Sequence, residues 1–447
     1  MRKIIAFIIS VFMIISVFCA CTDSENFSKN DNLINKYTRS TDSAKTFNYN
    51  DKVTDAPSSY TTYSSEITDF ALRMFRNYHK NAGKDSYVFS PASTALQLGL
   101  MANGASEETR DEIINALGRD LSLENINQCS SYFRSRIEAV GANQADKKDS
   151  LSGDDTSNGN QGFVKFDTAM FANDTADIKT KFMQTDVDYY GCDFFRLMFN
   201  DSNALNKVNN RFKKYGSENF ISSLNEDQNL ISVTAADICD IWLNAYAETD
   251  IEQGTFKSSG TDKSVTYMTS NETYMKTDKA QAVVKYTSKT PLKFMAVIPN
   301  EDITLSDYIS DFTNLEFSNL FESIDFSKVA AAKIPEFTIS AQNNAENITS
   351  IAEDSGLYTL FTDRAEFSEL TRTDNFSFNA MYEITPKISV NACGIGGHES
   401  NGDEPALSKH TQQTVKADVT LEFNRPFIFL ILDNESNIPV YIGTVDF

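Results

Sequence analysis

Histidine and tryptophan are scarce in this chain. The 447 residues include three histidines, His79, His398 and His410, and one tryptophan, Trp242. A zinc centre or a histidine-based catalytic site would have to be built almost entirely from these three imidazoles, and none of them stands in a ligand or nucleophile motif. The composition therefore argues against an enzyme, and we expect no cofactor.

Cysteine is also rare. Two of the six cysteines, Cys19 and Cys21, lie near the N-terminus, and the other four are Cys129, Cys192, Cys239 and Cys393. Four scattered cysteines are too few for a disulfide framework, and no pair has the spacing of a metal site. The sequence therefore predicts neither a disulfide-rich domain nor a metal centre.

Basic residues are outnumbered by acidic ones. The chain has 40 Lys and Arg against 62 Asp and Glu, which gives a formal net charge of -22. A nucleic-acid partner is not expected, because phosphate backbones are bound by basic surfaces. An acidic exterior mainly keeps a protein soluble.

The N-terminus carries a long apolar run. Arg2 and Lys3 precede a predominantly apolar stretch, residues 4–18, which is the layout of a secretory signal peptide. A membrane-spanning helix needs about 20 apolar residues, and this run is followed at once by the polar residues 22–25. Residues 1–20 are therefore predicted to be a signal peptide that is removed, which places the mature protein outside the cytoplasm.

Cys21 would then be the first mature residue. Its position after Ala20 resembles a bacterial lipoprotein processing site, in which the new N-terminal cysteine carries the lipid. The resemblance implies a protein anchored on the outer face of a bacterial membrane, with no other membrane contact. Simple secretion of an extracellular protein stays open as the alternative.

Two polar stretches set the predicted domain limits. Residues 21–63 are rich in Asn, Ser, Thr, Asp and Lys and poor in apolar residues, so they are predicted to be a disordered tether. Residues 143–161 are similarly polar and are predicted to be a surface insertion. One folded domain is expected over residues 64–447, and we expect it to be a monomer.

Three helices are predicted at the start of this domain. Apolar residues recur at helical spacing over 67–78. Ser90 and Pro91 supply a cap and a first-turn proline for a second helix that ends near Gly104. Ser106, followed by two glutamates, is expected to cap the third.

Strands are expected in the rest of the domain. Alternating or continuous apolar runs rich in β-branched and aromatic residues occur at 165–173, 238–247, 282–286, 292–299, 427–432 and 440–445. Helices that come first, strands that come later and the absence of βαβ alternation indicate an α+β fold with large, mostly antiparallel sheets.

Several segments resemble the serpin family of serine protease inhibitors, in the order that family has them. They are VFSPASTALQLGLMANGASEETRDEI (88–113), FVKFDTAMFANDTADIKTKF (163–182), WLNAYAETDIEQGTF (242–256), KFMAVIPNE (293–301), KIPEFTIS (333–340) and FNRPFIFLILDNESNIPVYIGTVDF (423–447). The resemblance spans about residues 62–447. It implies N-terminal helices around a large central sheet, further sheets, and an exposed reactive loop near the C-terminus.

The resemblance also implies a suicide mechanism. In serpins a protease cleaves the exposed loop, and the loop then inserts into the central sheet as an extra strand and carries the acyl-linked protease with it. The loop region here is predicted over residues 391–422. Its hinge would comprise Ala392, Cys393, Gly394, Ile395, Gly396 and Gly397, with Gly394 at the position of the family's hinge glycine.

The loop departs from the family pattern in its polarity. An inserting strand turns alternate side chains into the core, and counting from Ile395 the inward positions are 395, 397, 399, 401 and 403. Glu399, Asn401 and Asp403 would be buried there, and burial of an unpaired polar group costs several kcal/mol. The sequence therefore predicts that insertion begins easily and is then opposed.

The cleavage point is predicted at one of two places. The family's spacing counted forward from Gly394 indicates Ser408, followed by Lys409, and counted back from Phe423 it indicates Val415, followed by Lys416. A lysine suits a trypsin-like protease and a valine an elastase-like one. Lys409 is the preferred candidate, and a cysteine protease stays open as a target.

Two further departures from the family pattern concern residues whose hydrogen bonds hold the central sheet closed in the family. Glu252 stands where the family has a tryptophan, and Ile384 stands where many members have a histidine that controls sheet opening. Core packing is expected for Trp242. A protease inhibitor is the favoured interpretation, and a non-inhibitory serpin-like binding protein whose loop is only a substrate is the alternative.

Overall fold

The computed structural model describes residue 33 and residues 56–82, 86–145, 162–216, 219–339, 346–347, 355–376, 378–396 and 416–447. Within them the helices are α1 (Tyr60–Ala82), α2 (Pro91–Gly104), α3 (Glu107–Leu117), α4 (Leu123–Ala145), α5 (Thr180–Tyr190), α6 (Ser202–Phe212), α7 (Leu305–Asp311) and α8 (Asn314–Glu322). The predicted signal peptide, Cys21 and residues 146–161 of the predicted insertion lie outside the described residues.

The strands of the described residues are β1 (Tyr87–Phe89), β2 (Phe163–Asn173), β3 (Asp193–Leu197), β4 (Leu230–Ile241), β5 (Ile251–Phe256), β6 (Lys263–Lys276), β7 (Ala280–Tyr286), β8 (Leu292–Pro299), β9 (Val329–Pro335), β10 (Phe337–Ile339), β11 (Glu346–Asn347), β12 (Phe378–Ile384), β13 (Ile388–Val390), β14 (Gly394–Gly396), β15 (Val419–Glu422), β16 (Phe427–Asp433) and β17 (Pro439–Val445).

The first three helices lie where the sequence predicts them, with one difference in capping. Ser90 Oγ accepts a hydrogen bond from the Ser93 amide at 3.2 Å, as expected of an N-cap. Ser106 also occupies an N-cap position, but its side chain makes no bond to α3. Ser368 Oγ donates to Ser106 Oγ instead, at 2.8 Å. The second serine therefore ties the start of α3 to the segment 355–376.

Helix α4 was not predicted. Its buried side chains Ile126, Cys129, Phe133 and Ile137 follow the helical spacing, and they pack toward α2 and β2. That spacing was the signal in the sequence, but it was diluted by the many polar residues of the segment. Helix α1 also begins at Tyr60, four residues before the predicted domain start.

Two sheets form the body of the protein. Sheet A contains β10, β13, β14, β4, β2 and β3 in that order, with β12 also paired to β4 and β11 paired to β12. Sheet B has the order β1-β17-β16-β8-β7-β6-β9-β15, with β5 paired to β6. The predicted α+β class with large, mostly antiparallel sheets is confirmed.

One strand prediction needs correction. The strand predicted at 238–247 is β4, which spans Leu230–Ile241. Trp242 and Tyr246 follow β4 in the sequence and are not part of it. Both side chains are almost fully buried, which is why the segment resembled a strand. One βαβ unit occurs within this architecture, since β2 and β3 are parallel and are connected through α5.

Strand β4 separates two hydrophobic clusters. On its inner face, toward sheet B, Leu230, Ala236 and Ile238 belong to the main core. On its outer face, Ile231 and Val233 belong to a smaller cluster that α6 covers with residues such as Phe212. Alternate residues of β4 therefore contact different cores, as the period of a strand requires.

Helix α6 is fixed on the outer face through Asp167 of β2. Arg211 makes two hydrogen bonds to this carboxylate, at 2.9 and 2.6 Å, and Tyr215 Oη donates to it at 2.6 Å. Lys214 lies 3.2 Å away. Burial by itself raises the pKa of Asp167, but these partners outweigh burial and hold the pKa well below its usual range. The ionised carboxylate therefore anchors α6 to sheet A.

Asp186 of α5 shows the opposite behaviour. It is fully buried, and Asn103 Nδ2 donates to its Oδ1 at 3.0 Å, while its Oδ2 has no hydrogen-bond partner among the described residues. Burial raises the pKa of Asp186 well above its usual range, and the Asn103 bond offsets only part of this effect. Folding therefore favours the protonated acid.

Replacement of Asp186 by asparagine tests this assignment. A group whose folded-state pKa is raised contributes stability below its unfolded pKa, and that contribution is lost as pH rises toward the folded-state pKa. We expect Asp186→Asn to become progressively more stable than the wild type above about pH 4, by at most about 1.4 kcal/mol per pH unit. Urea unfolding between pH 4 and 8 measures this, and parallel stability curves for the two proteins would contradict it.

Candidate functional site: the hinge between β13 and β14

A tight turn opens the predicted loop region. The chain leaves β13 at Val390 and reverses over Asn391–Gly394, with the Asn391 amide donating to the Gly394 carbonyl at 3.0 Å. The Asn391 side chain holds the turn from within, because its Oδ1 accepts from the amides of Cys393 at 2.9 Å and Gly394 at 3.1 Å. The hinge thus begins with a hydrogen-bonded reversal.

The next three residues form a strand of sheet A. Strand β14 is antiparallel to β13, with Val390 opposite Ile395, and antiparallel to β4, with Gly394 opposite Ile241 and Gly396 opposite Cys239. Ile395 is 3% exposed and belongs to the main core. Its burial agrees with the inward position expected for Ile395, and the assignment of residues 392–397 as a hinge stays a prediction. The hinge is therefore already inserted between β13 and β4.

Beyond β14, the same edge of β4 is paired with β12 instead. Strand β12 pairs in parallel with residues 230–235 of β4, whereas β14 pairs with residues 239–241. We call the first part the closed half of sheet A and the second part the open half. Residues 385–387, which connect β12 to β13, lie at the fork between them.

Gly394 is required by the close approach of β4. A Cβ atom added to Gly394 would lie 1.9 Å from the carbonyl oxygen of Asp240, which is a backbone atom and cannot swing away. At Gly396 the nearest atom to such a Cβ is Cys239 Sγ, at an ordinary 3.5 Å. The predicted hinge glycine thus has a specific steric reason.

Trp242 joins β4 to the hinge turn. Its Nε1 donates to the Asn391 carbonyl at 2.8 Å, and its amide donates to the Cys393 carbonyl at 3.3 Å. Glu336 accepts from the Ala392 amide at 3.0 Å. Core packing was expected for Trp242, and its ring is indeed buried, but its bond to the hinge was missed because Asn391 lies about 150 residues away in the sequence.

A buried ion pair lies against the indole ring of Trp242. Lys285 Nζ lies 2.7 Å from Glu272, 5.5 Å from the Trp242 ring centroid and 4.4 Å from the Tyr246 ring centroid. Burial raises the pKa of Tyr246 well above its usual range, with the Glu272 charge adding to the effect, so the phenol stays neutral. The hinge turn therefore rests on a fixed, desolvated cluster.

Ile384 and Glu252, the two residues that depart from the family pattern outside the loop, lie in different environments. Ile384 is fully buried in the outer cluster that α6 covers, so it fills space between β12 and α6. Glu252 is 59% exposed in its side chain and pairs with Lys333 at 2.7 Å on sheet B. The first residue therefore lies in the closed half of sheet A, and the second lies away from it.

The far end of the loop region is also a strand. Strand β15 pairs in parallel with β9, with Val419 opposite Ala330. Asp418 and Val329 exchange two hydrogen bonds, at 2.9 and 3.0 Å. Residues 419–422 were predicted within the loop region, and this part of the region is sheet. Phe423 follows, fully buried.

One of the four predicted cleavage candidates lies within the described residues. Gly397, Ser408, Lys409 and Val415 lie outside the described residues, while Lys416 is described and exposed just before β15. The segment that could carry a cleavage site therefore lies between β14, which is part of sheet A, and β15, which is part of sheet B.

The described residues offer little for other chemistry. They contain no cluster of His, Cys, Asp and Glu suited to a metal ion, and their four cysteines form no disulfide with one another. Burial raises the pKa of the Cys239 thiol beside β14, with the charges of Asp240 and Asp237 adding to the effect, so it is a poor nucleophile. Among the described helices, none is long and apolar enough to cross a membrane.

Comparisons with known proteins agree with this geometry. The family model described as serpin (serine protease inhibitor) matches residues 65–446, so the chain belongs to the serpin family. Members of this family are inhibitors or binding proteins rather than catalytic enzymes in general.

Three similar proteins illustrate the range of the family. Alpha-1-antichymotrypsin from Pongo abelii is 22% identical over 393 residues, which cover 86% of this chain and 87% of the relative. The thermophilic serpin tengpin in its native state superposes with a TM-score of 0.73 at 24% identity, covering 86% of this chain and 94% of tengpin. Human thyroxine-binding globulin complexed with thyroxine gives 0.70 at 18% identity, covering 87% and 99%.

Alanine at each hinge glycine tests the insertion of β14. We expect Gly394→Ala to expel β14 from sheet A, since its Cβ would overlap the Asp240 backbone, and to speed amide exchange of residues 394–396 by about tenfold or more. Gly396→Ala is the matched control and should exchange like the wild type. Hydrogen–deuterium exchange with mass spectrometry measures both, and equal behaviour of the two variants would contradict the assignment.

Proposed function

We propose that this chain is an extracytoplasmic serpin-type inhibitor that traps a serine protease by loop cleavage and strand insertion. The observation that carries the proposal is the position of β14. The hinge already occupies the open half of sheet A, while β15 at the other end of the loop remains paired with β9. An intact loop, paired at its far end, and the β12 partner of β4 both stand against the advance of further residues behind β14.

The strand pairing of β4 supplies a driving force. Its present partner in the closed half, β12, is parallel, whereas β14 is antiparallel to β4. Parallel pairing is slightly less stable per residue. A cleaved loop that continues β14 would replace one parallel ladder by two antiparallel ones, and it would add backbone hydrogen bonds that the intact protein does not make.

A trypsin-like protease is the proposed target. Lys409 lies in the segment between Gly396 and Lys416, and a lysine side chain suits an acidic specificity pocket. Cleavage next to Ser408, or between Val415 and Lys416 by an elastase-like protease, is the alternative. A cysteine protease that cuts the same segment would be trapped through the same insertion.

A non-inhibitory binding protein is the second candidate. It is favoured by the polar residues Glu399, Asn401 and Asp403, which alternate inward in an inserted strand. Burial of unpaired groups of this kind would slow insertion and let the protease complete hydrolysis. The likeness to thyroxine-binding globulin, whose structure was solved with thyroxine, shows that the fold also serves ligand binding in that protein.

A covalent complex separates these two candidates. We expect incubation with a trypsin-like protease to give a complex that survives denaturing gels, together with a released C-terminal fragment that begins at His410 by mass spectrometry. Lys409→Ala should lower the rate of complex formation by about 100-fold or more, because the acidic pocket is left unpaired. Lys416→Ala is the matched control and should behave like the wild type.

The alternative results have distinct meanings. A fragment that begins at Lys409, Lys416 or Ala417 would move the cleavage point. Loop cleavage without any complex, at every ratio of protease to protein, would contradict the inhibitor and support the binding protein.

We also propose that Cys21 carries a lipid on the outer face of a bacterial membrane. The support is its place after an apolar run and Ala20, ahead of the polar residues 22–55. In a bacterial host we expect the wild type to partition into the detergent phase and to incorporate labelled palmitate, and Cys21→Ser to do neither. If Cys21→Ser partitions with the wild type, the anchor lies elsewhere, and if both are aqueous, the protein is simply secreted.

A further inference from the structure

Phe326 is the most exposed large apolar residue in the described part of the chain. It is 88% exposed, whereas the nearby Ile324 is partly buried and packs against the main core. Single exposed apolar residues are common on protein surfaces, so exposure by itself assigns no role to the ring. The packing of the core does not account for Phe326 either, and its surroundings must be considered.

Asp325 holds Phe326 in a tight turn. Asp325 Oδ1 accepts hydrogen bonds from the Ser327 amide at 3.0 Å and from Ser327 Oγ at 2.5 Å. The Asp325 carbonyl accepts from the Lys328 amide at 2.9 Å, and Lys328 Nζ lies 3.4 Å from Asp325 Oδ2. A side chain that bonds to the backbone two residues on fixes the turn between them. The ring is therefore displayed on a preformed support, which lowers the entropy that a partner must remove on binding.

Both ends of this turn are tied to sheet B. Before the turn, Ser323 Oγ accepts from the Lys276 amide of β6 at 2.9 Å. After it, Val329 begins β9 and exchanges its two hydrogen bonds with Asp418. Asp418 directly precedes β15, the strand at the far end of the predicted loop region. The turn therefore lies beside the point where the loop region joins sheet B.

The chain lengths bring Phe326 within reach of a protease on the loop. Phe326 precedes Val329 by three residues, so their Cα atoms are at most about 11 Å apart. Lys416 and Lys409 precede Asp418 by two and nine residues, which span at most about 7 and 32 Å. A protease domain of about 200 residues has a diameter of roughly 40 Å. A protease that holds either lysine is therefore large enough to contact Phe326.

We propose that Phe326, displayed by the turn at 325–328, is a second contact site for the protease that cuts the loop. The inference rests on the proposed function and identifies a residue outside the loop that selects the protease. After the cleaved bond the chain runs to Asp418 and β15, so the ring lies on the side of the residues that follow the cut. The partner it fits is a protease with an apolar depression beside that part of its cleft.

A second contact site has a definite kinetic signature. The ring would contact the protease both before and during cleavage, so its removal lowers kcat/KM through KM and leaves kcat nearly unchanged. A short peptide with the loop sequence lacks the turn, and its cleavage does not depend on Phe326. A protease without the apolar depression would cut the loop more slowly, although its specificity pocket accepts the same residue.

The rate of loop cleavage tests the second contact site. The full chain is incubated with a trypsin-like protease and, separately, with an elastase-like one, and cut chains are counted on denaturing gels whether or not they remain in a covalent complex. We expect Phe326→Ala to lower kcat/KM by about tenfold with the protease that cuts the wild type faster, which corresponds to about 1.4 kcal/mol. Phe326→Trp should stay within about twofold of the wild type, because it keeps a large apolar ring.

Tyr358→Ala is the matched control. Tyr358 is also an exposed aromatic residue, at 69%, but it lines a cleft with α1 and α3. Its removal should leave the cleavage rate unchanged. Asp325→Ala removes the side chain that holds the turn and should lower the rate by less than Phe326→Ala does. Phe326→Ala and Tyr358→Ala should melt with the wild type, since neither side chain is buried.

The outcomes separate the second contact site from the proposed function. Equal cleavage of the wild type and Phe326→Ala by both proteases, or an equal loss in Tyr358→Ala, would overturn the contact site and leave the inhibitor standing. Cleavage without a covalent complex would overturn the inhibitor, and the ratio of cleavage rates would still decide the contact site. A chain whose loop neither protease cuts would overturn both.

Discussion

The structure depends on the way two strands share one edge of β4. In the open half β4 is paired with β14, and in the closed half it is paired with β12. A strand edge accepts one partner at each position, so any advance of β14 must displace β12. The state of sheet A is therefore set by a competition between two ladders for the backbone groups of β4.

The contacts around the hinge hold β14 in its present position on β4. Asn391 closes the turn, Trp242 and Glu336 bind it from β4 and from the segment after β9, and Gly394 permits the close approach to Asp240. On the outer face α6 covers the closed half through an ionised Asp167, and Ile384 fills the space beneath it. Sheet A therefore already contains β14 in its open half, and α6 covers its closed half.

Much of this arrangement could be predicted from local sequence. Strands β8 and β16 are largely apolar and buried on both faces, and their bounds differ from the prediction by at most one residue. Gly394 and the inward Ile395 also followed from alternation and from the resemblance to serpins. Helix α4 could have been found from its apolar spacing, although its polar residues weakened the pattern.

The remaining features depend on contacts that no local pattern contains. The fork at 385–387 results from two segments, β12 and β14, that share one edge of β4, and the residues of neither segment show which part of β4 it pairs with. The bond from Trp242 to Asn391 exists only once distant parts of the chain are packed together.

The central claim is that the loop, once cut, continues β14 along β4. Hydrogen–deuterium exchange of the loop-cleaved protein tests it most directly, through the amides of residues 397–405. The account predicts that these amides become protected to the level of β4 itself, because they join two antiparallel ladders in the middle of sheet A. Exchange of the same amides at the rate of an unstructured peptide, with β12 still protected on β4, would contradict it.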